Sequence, residues 1–344
     1  MKNKPKFISI EGLFPDLFKI IPGWIKGVFH CVTAGSGVGK TKFSKYAFLF
    51  HGYNYCKKNN LPFYCLYFCL EESIEKFWVT IQCDLIAEKY NLSLTYYQYK
   101  GYHEGFTEEH QKALDSVASE IEEMKKVIIP IDHVSNPTGI YKTIAKFMDT
   151  IGTKTEGVVD SDEFGNKWSS FTYKYNNPDT QVMVIVDHMK LVTPEKNPFA
   201  AVNNTFEAIN KLAEYAVKFI CKKYEIIFLA VHQQEASADS VENVRFGTPE
   251  PTLNKLGVNK IVQQEYAVVI GLFNPARVKG SPSLGYDINK LGENLRIAYI
   301  LKHRDGNEGV AKGMYFHGVN SKYEELPTPD KKTEIEQFIK DKRK

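Results

Sequence analysis

Apolar residues fall along this chain in two alternating rhythms. Short continuous runs at Phe29–Val32, Pro62–Leu70, Val127–Ile131, Val182–Val186 and Ile226–Val231 read as fully buried strands. Between them lie segments with the i, i+3/i+4 spacing of helices. These hold Phe43, Tyr46, Ala47 and Phe50, then a stretch ending near Tyr90, then 108–126, Ile140–Met148 and Asn204–Lys223. Further strands are expected at Ala267–Phe273 and Leu295–Leu301, with a last hairpin that pairs Val310–Phe316 toward Tyr323. Continuous rather than alternating apolar runs belong to parallel sheets covered on both faces. Strands alternating with helices therefore predict an α/β fold, with its ligand site at the carboxyl ends of the strands.

Three segments depart from this rhythm. Residues 1–28 read as a lead-in with one turn at Ile21–Trp24 and no independent domain, leaving 29–326 as the main unit. The stretch 151–180 is rich in Gly, Asn, Asp and Thr around a strand-like WSSFTYKY, and reads as an inserted hairpin or long surface loop. The tail 327–344 reads as a charged helix, solvated or facing a partner.

Composition narrows the classes. The 344 residues are 43% hydrophobic and 25% charged, as in globular proteins. No apolar run has the length of a membrane span, and MKNKPKFISI lacks a signal-peptide core. With a formal charge of +3, any nucleic-acid binding must come from local basic loops rather than a global field. The six cysteines form no CxxC pair and read as buried thiols in a reducing cytoplasm, not as zinc ligands.

The chemistry starts at Ala34–Thr41. A strand, a glycine-dense turn and a helix follow in the order that a P-loop requires. Gly35, Gly37 and Gly39 are expected to turn backbone N–H groups inward, with Ser36 and Val38 between them. Those donors and the helix N-terminus suit a polyphosphate. Lys40 adds charge at the β/γ-phosphates and Thr41 a hydroxyl for Mg²⁺, which makes ATP or another NTP the expected ligand. Ala34 stands where the first glycine is usual. Asp187 closes an apolar strand and reads as the Mg²⁺-ordering acid; an aspartate capping the next element has the same sequence signature. Glu71 is a candidate general base, or an acid enriched at a helix N-terminus. Gln233 is a candidate γ-phosphate sensor just past a strand. Lys302 and Arg304 close another strand, where they are either solvated or act on a neighbour's nucleotide.

In order, AGSGVGKT, YFCLEES, VMVIVDHMKLV, FLAVHQQ and YILKHRDGNEGVAKGMYF resemble the RecA-type motor domain of DnaB-like hexameric replicative helicases. The set is also similar to the helicase half of phage primase-helicases, and the resemblance spans about Pro22 to Leu326. It implies a RecA-like P-loop NTPase with a C-terminal β-hairpin, hydrolysing NTP with Mg²⁺ and translocating on single-stranded DNA during replication. Lys40, Thr41, Glu71, Asp187 and Gln233 take the roles given above, Lys302 and Arg304 reach the neighbouring subunit, and Phe316 packs on the base. Implied partners are single-stranded DNA, other copies in a hexameric ring, and a primase or helicase loader, in a bacterial or phage-infected cytoplasm. Candidate DNA-binding residues are Arg245, Lys255 and Lys260 in 234–262, and Arg277 and Lys279 in 274–294. The chain departs from the family at Thr252–Gly257, which lacks the usual arginine, and in the long interval between Glu71 and Asp187. A non-helicase RecA-family ATPase, for recombination, loading or regulation, is the alternative.

Overall fold

The apolar runs become strands close to their expected places. The computed structural model describes residues 7–161, 167–195, 202, 204–234, 249–256, 260–278, 283–318 and 321–342, without the side chains of 158–161, 167–170 and 260–261. The strands are β1 (Phe7–Ser9), β2 (Gly23–Ile25), β3 (Phe29–Ala34), β4 (Phe63–Cys69), β5 (Ile128–Ile131), β6 (Gly152–Ser161), β7 (Lys167–Tyr175), β8 (Gln181–Asp187), β9 (Ile227–Gln233), β10 (Val268–Phe273), β11 (Leu295–His303), β12 (Ala311–His317) and β13 (Lys322–Glu325). One nine-stranded sheet has the order β13-β12-β11-β10-β3-β9-β8-β4-β5. Neighbours run parallel from β10 to β5, and β11, β12 and β13 extend the sheet antiparallel.

Helices cover both faces, as continuous apolar strands require. On one face pack the helical run from Lys40 to Lys58, then Ile74–Tyr90 and Glu108–Lys125, through Phe43, Phe48, Phe77, Ile81, Val117 and Ile121. On the other lie Pro137–Ile151 and Thr205–Tyr215, through Ile140, Ile144, Ile209 and Leu212. Side chains set where these helices begin: Ser73 accepts from the Lys76 N–H, Thr107 from His110 and Asn204 from Glu207.

Both termini are more deeply built in than the sequence suggests. Ile8, Ile10, Phe14, Leu17, Ile21 and Trp24 are fully buried in the main core. Trp24 stacks on Phe48 with centroids 3.7 Å apart and donates to the Ala47 carbonyl at 2.7 Å. The expected solvated tail is corrected by the helix Lys332–Lys342, which buries Ile335 and Ile339 against Leu291, Leu295, Tyr315 and Leu326. Its two isoleucines are four residues apart, a spacing that gives one apolar stripe even in a charged helix. In 151–180, β6 and β7 form a separate antiparallel hairpin. Its foot is fixed where Tyr175 donates to the Tyr224 carbonyl at 2.5 Å and Tyr173 to that of Met148 at 2.6 Å.

Two strand ends differ from expectation. β9 runs through Gln233, which is thus its last residue rather than the first of a loop. β11 is antiparallel to β10, and His303 lies opposite Val268, whose other neighbour is His30 near the start of β3. Lys302 and Arg304 therefore sit at the sheet edge opposite the P-loop.

β8, like β3 and β10, is buried at every position, so truncations in it open cavities in the core. Ile185→Ala, at a fully buried site, is expected to cost about 2–5 kcal/mol in a urea titration. A loss below about 0.5 kcal/mol would contradict this packing.

Candidate nucleotide-binding and hydrolysis site

The three strands β3, β9 and β8 are adjacent and parallel, and each ends in a residue of interest. Ala34 pairs with Gln233, and Asp187 with Val231 on one side and Cys69 on the other. Just beyond these ends a cleft of about 340 Å³ is lined by Ser36, Gly37, Gly39, Lys40, Thr41, Lys42, Glu71, Gln233 and Phe316. Residues expected from separate stretches of the chain thus meet in one place. Past Thr41 and Lys42 a second hollow of about 750 Å³ opens between the P-loop helix, the helix Ile74–Tyr90 and the β12–β13 turn.

The P-loop has the conformation that a phosphate cradle needs at two of its three glycines. Gly37 (φ 68°) and Gly39 (φ 111°) adopt left-handed geometry, where a side chain would be strained. Gly35 does not adopt it. Lys40 begins the following helix and is buried, at 8% exposed, in the cleft wall.

Asp187 is 3% exposed. Its carboxylate accepts from the Tyr67 hydroxyl at 2.8 Å and from Thr41 Oγ1 at 3.3 Å. Burial pushes its pKa up to about 6, against the opposing effects of the Tyr67 hydrogen bond and the Lys45 charge. A buried carboxylate beside a threonine hydroxyl, both at the mouth of a glycine cradle, is an oxygen donor set that fits Mg²⁺. Thr41 and Asp187 are the residues that would hold the ion.

Glu71 projects from the end of β4 with its side chain 53% exposed, open to the cleft. His188 lies beside it, with Nε2 3.7 Å from Glu71 Oε1. Burial holds the His188 imidazole below its usual range, with Lys40 and Lys190 adding to the effect of burial and Glu71 opposing it. Phe316 faces Gly39 from β12 and lies between Arg296 (4.9 Å to the ring centroid) and Tyr323 (4.7 Å between centroids).

Other expected residues lie elsewhere. Lys302 donates to the carbonyls of Gln263 and Gln264 at 2.8 Å each, and Arg304 to those of Gln264 and Glu265 at 3.2 Å. Together they cap the C-terminus of the helix Lys260–Glu265, away from this chain's own cleft. Arg277 donates to the Ser36 carbonyl of the P-loop at 3.0 Å, and its Nε lies 3.6 Å from Glu293 Oε2. Lys255 donates to the Glu250 carbonyl at 3.0 Å. Arg245, Lys279 and the side chain of Lys260 lie outside the described residues.

With the geometry in place, comparison with known proteins can be read. No family model matches the sequence, and no curated protein matches it. Among solved structures, a DnaB-like replicative helicase, described with its interactions with primase, aligns with a TM-score of 0.67 at 15% identity, covering 95% of this chain and 65% of that one. A second solved structure, described as an ATPase domain, aligns with a TM-score of 0.66 at 16% identity, covering 94% of this chain and 93% of that one. The fold is the one seen in these two structures. This chain spans 65% of the length of the DnaB-like helicase it matches.

Several residues at the site carry no signal of their own in the sequence. Lys45, 4% exposed, pairs with Glu72 at 2.5 Å and lies 4.8 Å from the Phe77 ring centroid. It stands four residues after Thr41, so helical spacing alone puts both on one face. Tyr67 became visible only once β4 and β8 were known to be neighbours. Gln234, 2% exposed, donates to Thr33 Oγ1 at 3.0 Å and ties the end of β9 to β3.

Removing one partner of a buried ion pair leaves a charge uncompensated. Glu72→Gln is therefore expected to lower stability by about 3–5 kcal/mol in a denaturant titration. An exposed pair such as Lys57–Glu123, removed by Glu123→Gln, should cost at most about 1 kcal/mol. Equal effects would mean that the Lys45–Glu72 pair is solvated.

Proposed function

We propose that this chain is an NTP-hydrolysing helicase motor that translocates on single-stranded DNA during replication. It works as a hexameric ring with each hydrolysis site shared between two subunits. The observation that carries this reading is the convergence of Lys40, Thr41, Glu71, Asp187, Gln233 and Phe316 on one cleft, while Lys302 and Arg304 sit at the opposite sheet edge.

In this mechanism the amides of the P-loop and Lys40 hold the phosphates, and Phe316 packs on the base. Thr41 and Asp187 would hold Mg²⁺, which would supply charge neutralisation at the phosphate oxygens. Glu71 accepts the proton of the attacking water, which its exposure to the cleft permits. Gln233, at the last position of β9, contacts the γ-phosphate and passes its presence or absence to the polar segment that follows. Lys302 and Arg304 are held by neutral carbonyls, with no carboxylate partner among the described residues. Their charge is thus available to the phosphates of an adjacent subunit, where a trans-acting arginine is worth about 10³–10⁵ in rate. Arg245, Lys255, Lys260, Arg277 and Lys279 are the proposed DNA contacts, through backbone phosphates as suits a motor indifferent to sequence. A primase or loader is a proposed further partner.

Two experiments test this. Glu71→Gln should reduce hydrolysis by about 10²–10⁴-fold while leaving nucleotide affinity unchanged; strand displacement on a fork that survives it would sink the mechanism. Arg304→Ala and Glu71→Gln should each be inactive alone, yet mixing them should restore part of the activity, because mixed rings contain sites with both groups. Failure to complement, or full hydrolysis by a strict monomer, would remove the trans role. DNA-stimulated hydrolysis without strand displacement would assign the chain to the non-helicase RecA-family ATPases.

A further inference from the structure

Three side chains from the C-terminal third of the chain grip the P-loop from outside. Arg296 Nε donates to the Val38 carbonyl at 2.7 Å, the Tyr323 hydroxyl to that of Gly39 at 3.0 Å, and Arg277 Nη1 to that of Ser36 at 3.0 Å. Arg296 lies near the start of β11, Tyr323 on β13, and Arg277 in the turn Pro275–Arg277 after β10. In a trans peptide unit the carbonyl and the following N–H point to opposite sides. Holding the Ser36, Val38 and Gly39 carbonyls outward therefore aims the N–H groups of Gly37, Gly39 and Lys40 the other way, toward the cleft.

The two left-handed glycines are also where the grips come closest. A Cβ on Gly37 would lie 2.7 Å from Arg277 Nη1, and one on Gly39 would overlap the Tyr323 hydroxyl. Glycine thus serves the loop twice, by its φ and by leaving room for the donor behind it. Arg296 is unusual in its own right. It is 3% exposed, its Nη1 donates to the Glu293 and Leu295 carbonyls, and its guanidinium lies over the Phe316 ring. Among the described residues it forms no ion pair. A buried cation without a counter-charge is costly, and this one touches the cradle directly through the Val38 carbonyl.

We propose that Arg296, Tyr323 and Arg277 form a latch that preorganises the P-loop amides for a polyphosphate, and that Arg296 supplies a buried charge which the polyphosphate neutralises. This rests on the nucleotide-binding reading above and names positioning residues for it. All three act through the loop rather than by touching the reacting atoms.

The test uses the full chain and two probes, ATP with Mg²⁺ and inorganic tripolyphosphate, titrated by calorimetry beside melting curves without ligand. Tyr323→Phe should weaken both probes by about 5-fold, the equivalent of one hydrogen bond. Arg296→Gln should weaken them by about 10–100-fold, as for a bond to a charged group, and flatten the dependence of affinity on salt. Arg296→Lys should recover the salt dependence but not the full affinity, and it keeps the question answerable if Arg296→Gln does not fold. Folded variants that bind both probes like the parent chain, or that lose melting temperature without losing affinity, would overturn the latch alone. A parent chain that binds neither probe would overturn the nucleotide reading and the latch with it.

Discussion

Everything at the cleft hangs on the register in which β3, β9, β8 and β4 lie side by side. With Ala34 opposite Gln233, Val231 opposite Asp187 and Asp187 opposite Cys69, the chemistry of four distant stretches ends on one line. Side chains alternate faces along a strand, so a slip of one residue in β8 would turn Asp187 away from Thr41 and Tyr67. The hydrophobic core enforces the register. β8 is buried on both faces, so any slip must exchange the packing of two helical layers at once. The core is therefore what holds the geometry of the cleft.

Around that line the buried charges are unequal. Lys40, Lys45 and Arg296 stand within or behind the cradle, against the carboxylates of Asp187 and Glu72. Glu72 is already committed to Lys45, and Asp187 is partly satisfied by two hydroxyls. The remaining positive charge suits a polyanion, and the remaining carboxylate oxygens suit a divalent cation beside it. Such a pocket is better satisfied filled than empty, since burial makes each uncompensated charge expensive.

The fold was legible because it is written in local signals. Continuous apolar runs gave the parallel strands, glycines in a strand-turn-helix context gave the P-loop, and motif order gave the architecture that the structural neighbours share. Asp187 and Glu71 were readable because each lies at the end of an apolar strand. What escaped was set by contacts between distant residues. Nothing near Arg277 in sequence says that it folds back on Ser36, and Lys302 and Arg304 change edges only because β11 is antiparallel. Arg296 did leave a trace, as the one charge in the apolar run Leu295–Leu301. A strand that keeps a lone arginine where burial is expected has a use for it. The terminal segments were undervalued for a different reason: short amphipathic pieces bury too few residues for periodicity to rise above noise.

One strand joins these themes. β11 carries Arg296 at the P-loop edge and Lys302 at the far edge, six residues along an extended backbone, or about 20 Å at roughly 3.3–3.4 Å per residue. It pairs with β10 on one side and β12 on the other, so it cannot bend without breaking two ladders. The strand is in effect a ruler. It fixes the distance between the P-loop that Arg296 supports and the two cations, Lys302 and Arg304, that cap the helix Lys260–Glu265 at the far edge.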